Sequence, residues 1–223
     1  MKIPKISVII TTYQRFKNLE RIYAAWLEQP VCETWILNGN KNVKLDYGNH
    51  PKGLIFNMPK DLGTKMDYAF ALLTEGDYII LADDDVLPKK GFTEDLYRGW
   101  KETGDGIVGV IGRKFTGKRY GQGNFYRASE ITAPEKVDFC GIVYFSPRKY
   151  FGFDVRGMPR NCDDLWWHMK VFPDVPKYVI PSKNYIDLPE ARDKTAMFRN
   201  PELRAERRSF FKKYHVKRIK NGR

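Results

Sequence analysis

The segment from Tyr78 to Asp85 constrains this chain more than any other. An apolar strand, Tyr78-Ile79-Ile80-Leu81-Ala82, runs directly into the acids Asp83-Asp84-Asp85. A short continuous run of β-branched and apolar residues suits a strand buried on both faces, as strands of parallel sheets are. Ile6-Ser7-Val8-Ile9-Ile10 is another such run, and Thr34-Trp35-Ile36-Leu37 and Leu54-Ile55-Phe56 follow. Helical patterns separate them: Leu19, Ile22, Tyr23, Trp26 and Leu27 recur on one face ahead of Pro30, and Met66, Ala69, Phe70 and Leu73 mark a second stripe. The alternation predicts βαβ units and an α/β fold with a mostly parallel central sheet and helices on both faces. Ligands of such sheets bind beyond the carboxyl ends of the strands, where the three acids stand.

The second half is less regular. A helix with Phe92, Leu96 and Trp100 on one stripe precedes a strand, Ile107 to Ile111. Residues 112–126 are rich in Gly and aromatics and read as a loop or hairpin, Val137 to Phe145 as a strand interrupted by Gly141, Asp163 to Val171 as a short helix, and Tyr178 to Ile180 as the last strand. Asn200-Pro201-Glu202 has the cap, the first-turn proline and the early acid of a helix start. Leu203, Phe210, Phe211 and Tyr214 form its buried stripe, which puts Arg204, Arg207, Arg208 and Lys212 on the exposed side. The expected organisation is one domain over 1–198 and a basic helix and tail over 199–223.

Charge follows that division. Of the formal net charge of +12, the segment from Arg199 to Arg223 carries ten Lys/Arg and two Glu, or +8, which leaves +4 for the rest. Such a segment suits nucleic acid, an anionic glycan or a membrane surface, and equally a solvated helix. No run approaches the roughly 18 to 20 apolar residues of a membrane span, so stable membrane insertion is not expected. Met1-Lys2-Ile3-Pro4-Lys5 leads into a strand without the long apolar region of a secretory leader. Cys32, Cys140 and Cys162 are odd in number and widely spaced. They suit neither a disulfide framework nor a zinc site, and the cytoplasm is the expected location.

Adjacent like charges repel, so Asp83-Asp84-Asp85 calls for an offsetting cation, and a hard divalent ion such as Mn²⁺ or Mg²⁺ suits oxygen ligands. On an extended backbone Asp83 and Asp85 project to the same side. A capping turn before Leu87-Pro88 would use the same residues, and on the residues alone both readings stay open.

Together, three segments resemble the GT-A glycosyltransferases of family 2. Ser7-Val8-Ile9-Ile10-Thr11-Thr12-Tyr13-Gln14-Arg15 is similar to their first strand and turn, and Gly76 to Asp85 to their strand ending in a DxD motif. Arg160-Asn161-Cys162-Asp163-Asp164-Leu165-Trp166-Trp167 is similar to their acidic motif near the acceptor, and also resembles exostosin-like transferases. The resemblance implies a GT-A fold and transfer of a sugar from a nucleotide-sugar donor, UDP-linked in the simplest case, to a hydroxyl acceptor. It implies donor contacts from Thr11, Tyr13, Arg15, Asn38, Lys65, Asp83 and Asp84. Asn38 stands where members often carry an acid that contacts the base, and Lys65 where they tend to place a cation near the diphosphate. Metal ligation is implied for Asp85 and Asp83. Where members often supply a His, this chain has none, and Asp187 is the chemically able substitute. Asp164, with Asp163 beside it, matches the carboxylate that takes the acceptor proton, although an acid pair also suits the N-terminus of the following helix.

A nucleotidyltransferase of related architecture would show a Gly-rich phosphate loop after the first strand, and Thr11 to Arg15 contains no Gly. A basic nucleic-acid-binding protein without chemistry leaves the strand-end acids unexplained. The expected acceptor is a hydroxylated base in DNA, as some phage enzymes modify, or a cell-surface glycan. Arg204, Arg207, Arg208 and Lys212 are the expected phosphate contacts in the first case.

Overall fold

The computed structural model describes residues 3–160, 162–189 and 200–220. The first half supplies strands β1 (Ile6–Thr12), β2 (Glu33–Asn38), β3 (Gly53–Asn57), β4 (Tyr78–Asp83) and the short β5 (Val86–Pro88). The second half adds β6 (Ile107–Phe115), β7 (Gly123–Arg127), β8 (Glu135–Lys136), β9 (Phe139–Pro147), β10 (Lys177–Val179) and β11 (Tyr185–Asp187). The main sheet runs β3-β2-β1-β4-β9-β6-β10-β8, with β7 paired to β6, and β11 pairs with β5 in a separate ribbon. From β3 to β4 every pairing is parallel. β9 enters antiparallel between β4 and β6 and joins the two halves.

β1 is central to the parallel half, with β2 on one edge and β4 on the other, and its side chains are buried on both faces. That is why its sequence is a continuous apolar run and not an alternating one. The helices are α1 (Leu19–Leu27), α2 (Lys65–Ala71), α3 (Phe92–Thr103), α4 (Asp163–Trp166) and α5 (Pro201–Lys220). α1 and α3 meet through Trp26 and Phe92, with ring centroids 5.7 Å apart. α2 meets the segment after α4 through Tyr68 and Trp167 at 5.3 Å. The expected helix from Asp163 to Val171 is one α-helical turn followed by a wider π-type turn, Trp167–Val171. Trp166 and Trp167 are core residues. β5 and β11 are too short for a sequence pattern to reveal, and the segment around Asp187, expected as a connection, forms β11.

α5 begins as expected, with the Asn200 side chain accepting from the Glu202 N–H at 2.9 Å. Phe211 packs on Phe115 at 4.5 Å, which fixes the helix to the body. The expected boundary between residues 198 and 199 lies outside the described residues, as do Asn161 and Arg199. No helix among the described residues is long and apolar enough to cross a membrane.

Two core positions yield tests. Gly99 of α3 faces Ile180, the residue after β10: a Cβ there would stand 2.5 Å from Ile180 Cγ2 and 2.7 Å from Ile180 Cβ. Gly99→Ala gains up to about 1 kcal/mol of helix propensity, but overpacking costs roughly 1–3 kcal/mol. The clash wins, and calorimetry should show a melting midpoint lower by roughly 2–6 °C.

His168 is fully buried, and its Nδ1 lies 2.7 Å from the Asp164 carbonyl, to which it donates. Burial, reinforced by the nearby Lys177 charge, pulls its pKa from 6.5 down to about 3. Between those values the unfolded chain binds the extra proton. His168 therefore contributes stability above about pH 6.5 that is lost as pH falls toward 3. Urea midpoints measured from pH 7 to pH 4 should fall less steeply for His168→Gln than for the parent.

Candidate active site

The pairing of β1 with β4 sets Thr11 opposite Asp83, so the turn after β1 and the acids after β4 open onto the same edge of the sheet. They line a cleft of about 1680 Å³, whose walls also include Asp67 of α2, Asp163 and Asp164 of α4, Asp187 of β11 and the side of α5. Ligand pockets are typically about 300–1,000 Å³, so the space can take a nucleotide sugar and part of an acceptor.

At the strand-end acids, Arg15 reaches across from the turn after β1. Its Nη1 donates to Asp84 at 3.2 Å and also to Asp85. Thr12 Oγ1 donates to the other Asp84 oxygen at 2.7 Å. Thr11 donates to Asp67, and Tyr13 is 46% exposed at the rim, an open ring against which a flat group can stack. Asp85 is buried, whereas Asp83 opens onto the cleft and accepts a hydrogen bond from no described residue. Although wetted by the cleft, Asp83 is surrounded by protein. Lost hydration, then Asp85 and Asp84, raise its pKa well above the usual carboxylate range. Burial lifts Asp84 to about 7 against the opposing pull of Arg15. Asp67 is raised by burial and by Asp163 and Asp84, so it stands electrically between the two acidic groups. The cleft floor therefore holds more carboxyl groups than its own cations can keep ionised.

At the other end, burial and then Asp164 raise Asp163 to about 6, and Tyr68 Oη donates to it at 3.3 Å. Asp164 accepts two hydrogen bonds from Arg207 of α5, at 2.7 and 2.6 Å. The loops before α2 and α4 are clasped by an Arg160–Asp61 ion pair and by Thr64 Oγ1, which donates to the Arg160 carbonyl at 3.1 Å. Gly63 permits this approach: its φ is +72°, and a Cβ would lie 2.7 Å from Arg160 Cγ.

Several expected residues sit elsewhere. Asn38 is fully buried, and its amide is consumed by the Val43 carbonyl at 2.6 Å and Asn57 at 2.9 Å, so it organises a loop and does not face the cleft. Lys65 opens α2 but is absent from the cleft lining, and the cation beside the strand-end acids is Arg15. Arg204, Arg208 and Lys212 are exposed along the cleft wall, as anticipated, but Arg207 is turned inward onto Asp164. The sequence carried a signal for this: Arg207 is four residues from both Leu203 and Phe211, on the apolar stripe itself. Asp67, Tyr120 and Phe125 also line the cleft and were not singled out. Asp67 is a lone acid in an apolar helix, and the other two lie in the Gly-rich stretch, whose pattern names no particular residue.

The carboxylates suit a divalent cation in a particular way. Asp83 is open, and Asp187, which lies opposite Val86 in the β5–β11 ribbon, keeps its Oδ1 buried without a hydrogen-bond partner among the described residues. Its other oxygen pairs with Arg127. No three acids, cysteines or histidines among the described residues converge as a ready cage. Such residues fit a Mg²⁺-like ion held by one or two carboxylates and completed by substrate phosphates and water.

No curated protein matches the sequence. The profile of glycosyl transferase family 2 matches residues 7–214, from the start of β1 to within α5. Both acidic groups, the cleft between them and the mixed sheet beneath lie inside that span, and the chain belongs to glycosyl transferase family 2, whose members move a sugar from a nucleotide-sugar donor to an acceptor.

Proposed function

We propose that this glycosyltransferase carries its sugar on UDP, works with Mn²⁺ or Mg²⁺, and delivers the sugar to a hydroxyl of an anionic acceptor. A hydroxylated base in DNA is favoured over a neutral glycan. The observation that carries this reading is the division of one cleft into an acidic, strand-end floor at Asp83–Asp85 and a separate carboxylate, Asp164, walled by basic residues of α5.

In this reading Thr11, Tyr13 and Arg15 hold the nucleotide end of the donor. Asp83 and Asp85, with Asp187 in reach of the same ribbon, would hold the cation. When bound, the cation supplies charge to neutralise the leaving diphosphate, consistent with family 2 enzymes commonly using divalent ions. Asp164 takes the proton of the acceptor hydroxyl as its oxygen bonds to the anomeric carbon. The bond from that carbon to the diphosphate breaks, and the electron pair leaves with the nucleoside diphosphate. Asp163, its neighbour, helps set the local charge. Arg204, Arg208 and Lys212 face the acceptor and suit phosphates.

The donor assignment is tested by calorimetry with UDP and Mn²⁺. Asp83→Asn should lose metal-dependent binding while its melting midpoint holds or rises, because one of several crowded acids is discharged. Binding at the parent affinity would remove Asp83 from the donor site.

For the base, Asp164→Asn should bind UDP and Mn²⁺ normally but turn over more slowly, by a factor of roughly 10² to 10⁴. UDP release is followed with duplex DNA bearing a hydroxymethylated base as acceptor, beside a neutral oligosaccharide. Undiminished turnover would exclude Asp164, and faster transfer to the oligosaccharide would reverse the choice of acceptor.

A further inference from the structure

The two ends of the cleft differ in a way that catalysis alone does not require. Asp83 is open, whereas Asp164 is closed by α5. Arg207 binds both Asp164 oxygens, and its Nε donates to Tyr120 Oη at 2.9 Å. Its guanidinium carbon stands 5.6 Å from the centre of the Tyr120 ring. Only 16% of the Arg207 side chain and 12% of the Asp164 side chain remain exposed. Tyr120 is in turn braced by Phe211, 5.7 Å away. The contact is thus a largely buried, two-pronged pair supported by a hairpin residue and by the helix anchor.

Resting on the reading of Asp164 as the transfer base, we propose that Arg207 and Tyr120 select the acceptor. They hold Asp164 until a phosphate or carboxylate, carried beside the accepting hydroxyl, takes its place on Arg207. A buried pair parts readily only when each member is paired again, because stranding one charge in a dry site is costly. Water is neutral and offers Arg207 no anion, so a bound donor is protected from hydrolysis. The planar fork accepts a phosphate or a carboxylate oxygen pair equally well in geometry. Lys118, Arg119, Arg208 and Lys212 line the same space and concentrate anions there. With Asp164 released, water could also react where no acceptor is supplied. Its oxygen would bond to the anomeric carbon, its proton would go to Asp164, and the diphosphate would leave with the electron pair of the broken bond.

The experiment measures donor hydrolysis without acceptor, using UDP-glucose, UDP-galactose and UDP-N-acetylglucosamine in turn with Mn²⁺. Arg207→Ala should hydrolyse the accepted donor at least roughly tenfold faster than the parent, because its base is no longer held. Arg207→Lys, which keeps the charge but not the fork, should fall between them. Inorganic phosphate should accelerate hydrolysis by the parent and leave Arg207→Ala unmoved. Sodium acetate at equal ionic strength shows whether carboxylates serve as well, and sodium chloride controls for screening.

Hydrogen exchange reads the contact without turnover. Amides of 201–208 should exchange faster in Arg207→Ala, in Asp164→Asn, and in the parent on adding phosphate. If chloride acts as well as phosphate, or if neither exchange nor hydrolysis responds to Arg207→Ala, the proposal is overturned. If exchange responds while no protein consumes any donor, the anion-exchanging contact stands and the proposed reading of the site, its UDP-sugar donor or its base Asp164, is what fails.

Discussion

The parallel pairing of β1 with β4 is the constraint on which the site depends. With Thr11 opposite Asp83, both strands end at one level, and the turn after each can reach the other. Thr12 and Arg15 then bond to the acids as a consequence of register, not of sequence proximity. A slip of one residue would turn every side chain of a doubly buried strand to the opposite face. The register is therefore fixed by the same apolar contacts that make the core, and the chemistry inherits its rigidity from them.

Charge in the cleft is arranged in zones. Asp67, Asp83 and Asp84 crowd the floor, and burial together with mutual repulsion holds all three carboxyls above their ordinary range. Two largely buried arginines oppose the acids, Arg15 beside Asp84 and Asp85 and Arg207 beside Asp164. Carboxyls so crowded ionise fully only when a cation joins them. The exposed rim, through Arg208 and Lys212, attracts anions. One cleft thus joins an acidic floor to a basic rim.

The strands and their order along the chain were legible because burial on both faces leaves a continuous apolar signature, and the strand-end acids were legible because their location has few structural explanations. What the sequence concealed was where individual side chains reach. Asn38 stands at the right end of β2, but the following loop folds over it and uses up its amide. Lys65 begins the right helix but does not line the cleft, whereas Asp67, two positions later, does. Arg207 was read by its charge and placed in solvent, although its spacing from Leu203 and Phe211 put it on the packed stripe. A carboxylate distant in sequence made that burial tolerable, and no local pattern reports a partner 43 residues away. β5 and β11, each only three residues long, left no periodicity at all.

The place of α5 in the chain has a consequence for biosynthesis. Every described strand of the sheet precedes it, and the partner it brings to Asp164 comes from far beyond the strand-end acids. As a ribosome extends the chain, earlier segments can collapse before later ones exist. The strand-end acids can therefore be assembled while Asp164 still faces water, and the end of the cleft at Asp164 is closed later. A nascent chain halted before Arg207 would hold a nearly complete sheet with one wall of its cleft missing, exposing Phe115 and Tyr120 where Phe211 should lie. Such an intermediate offers a quality-control factor an apolar patch to recognise, and completion of a single helix removes it.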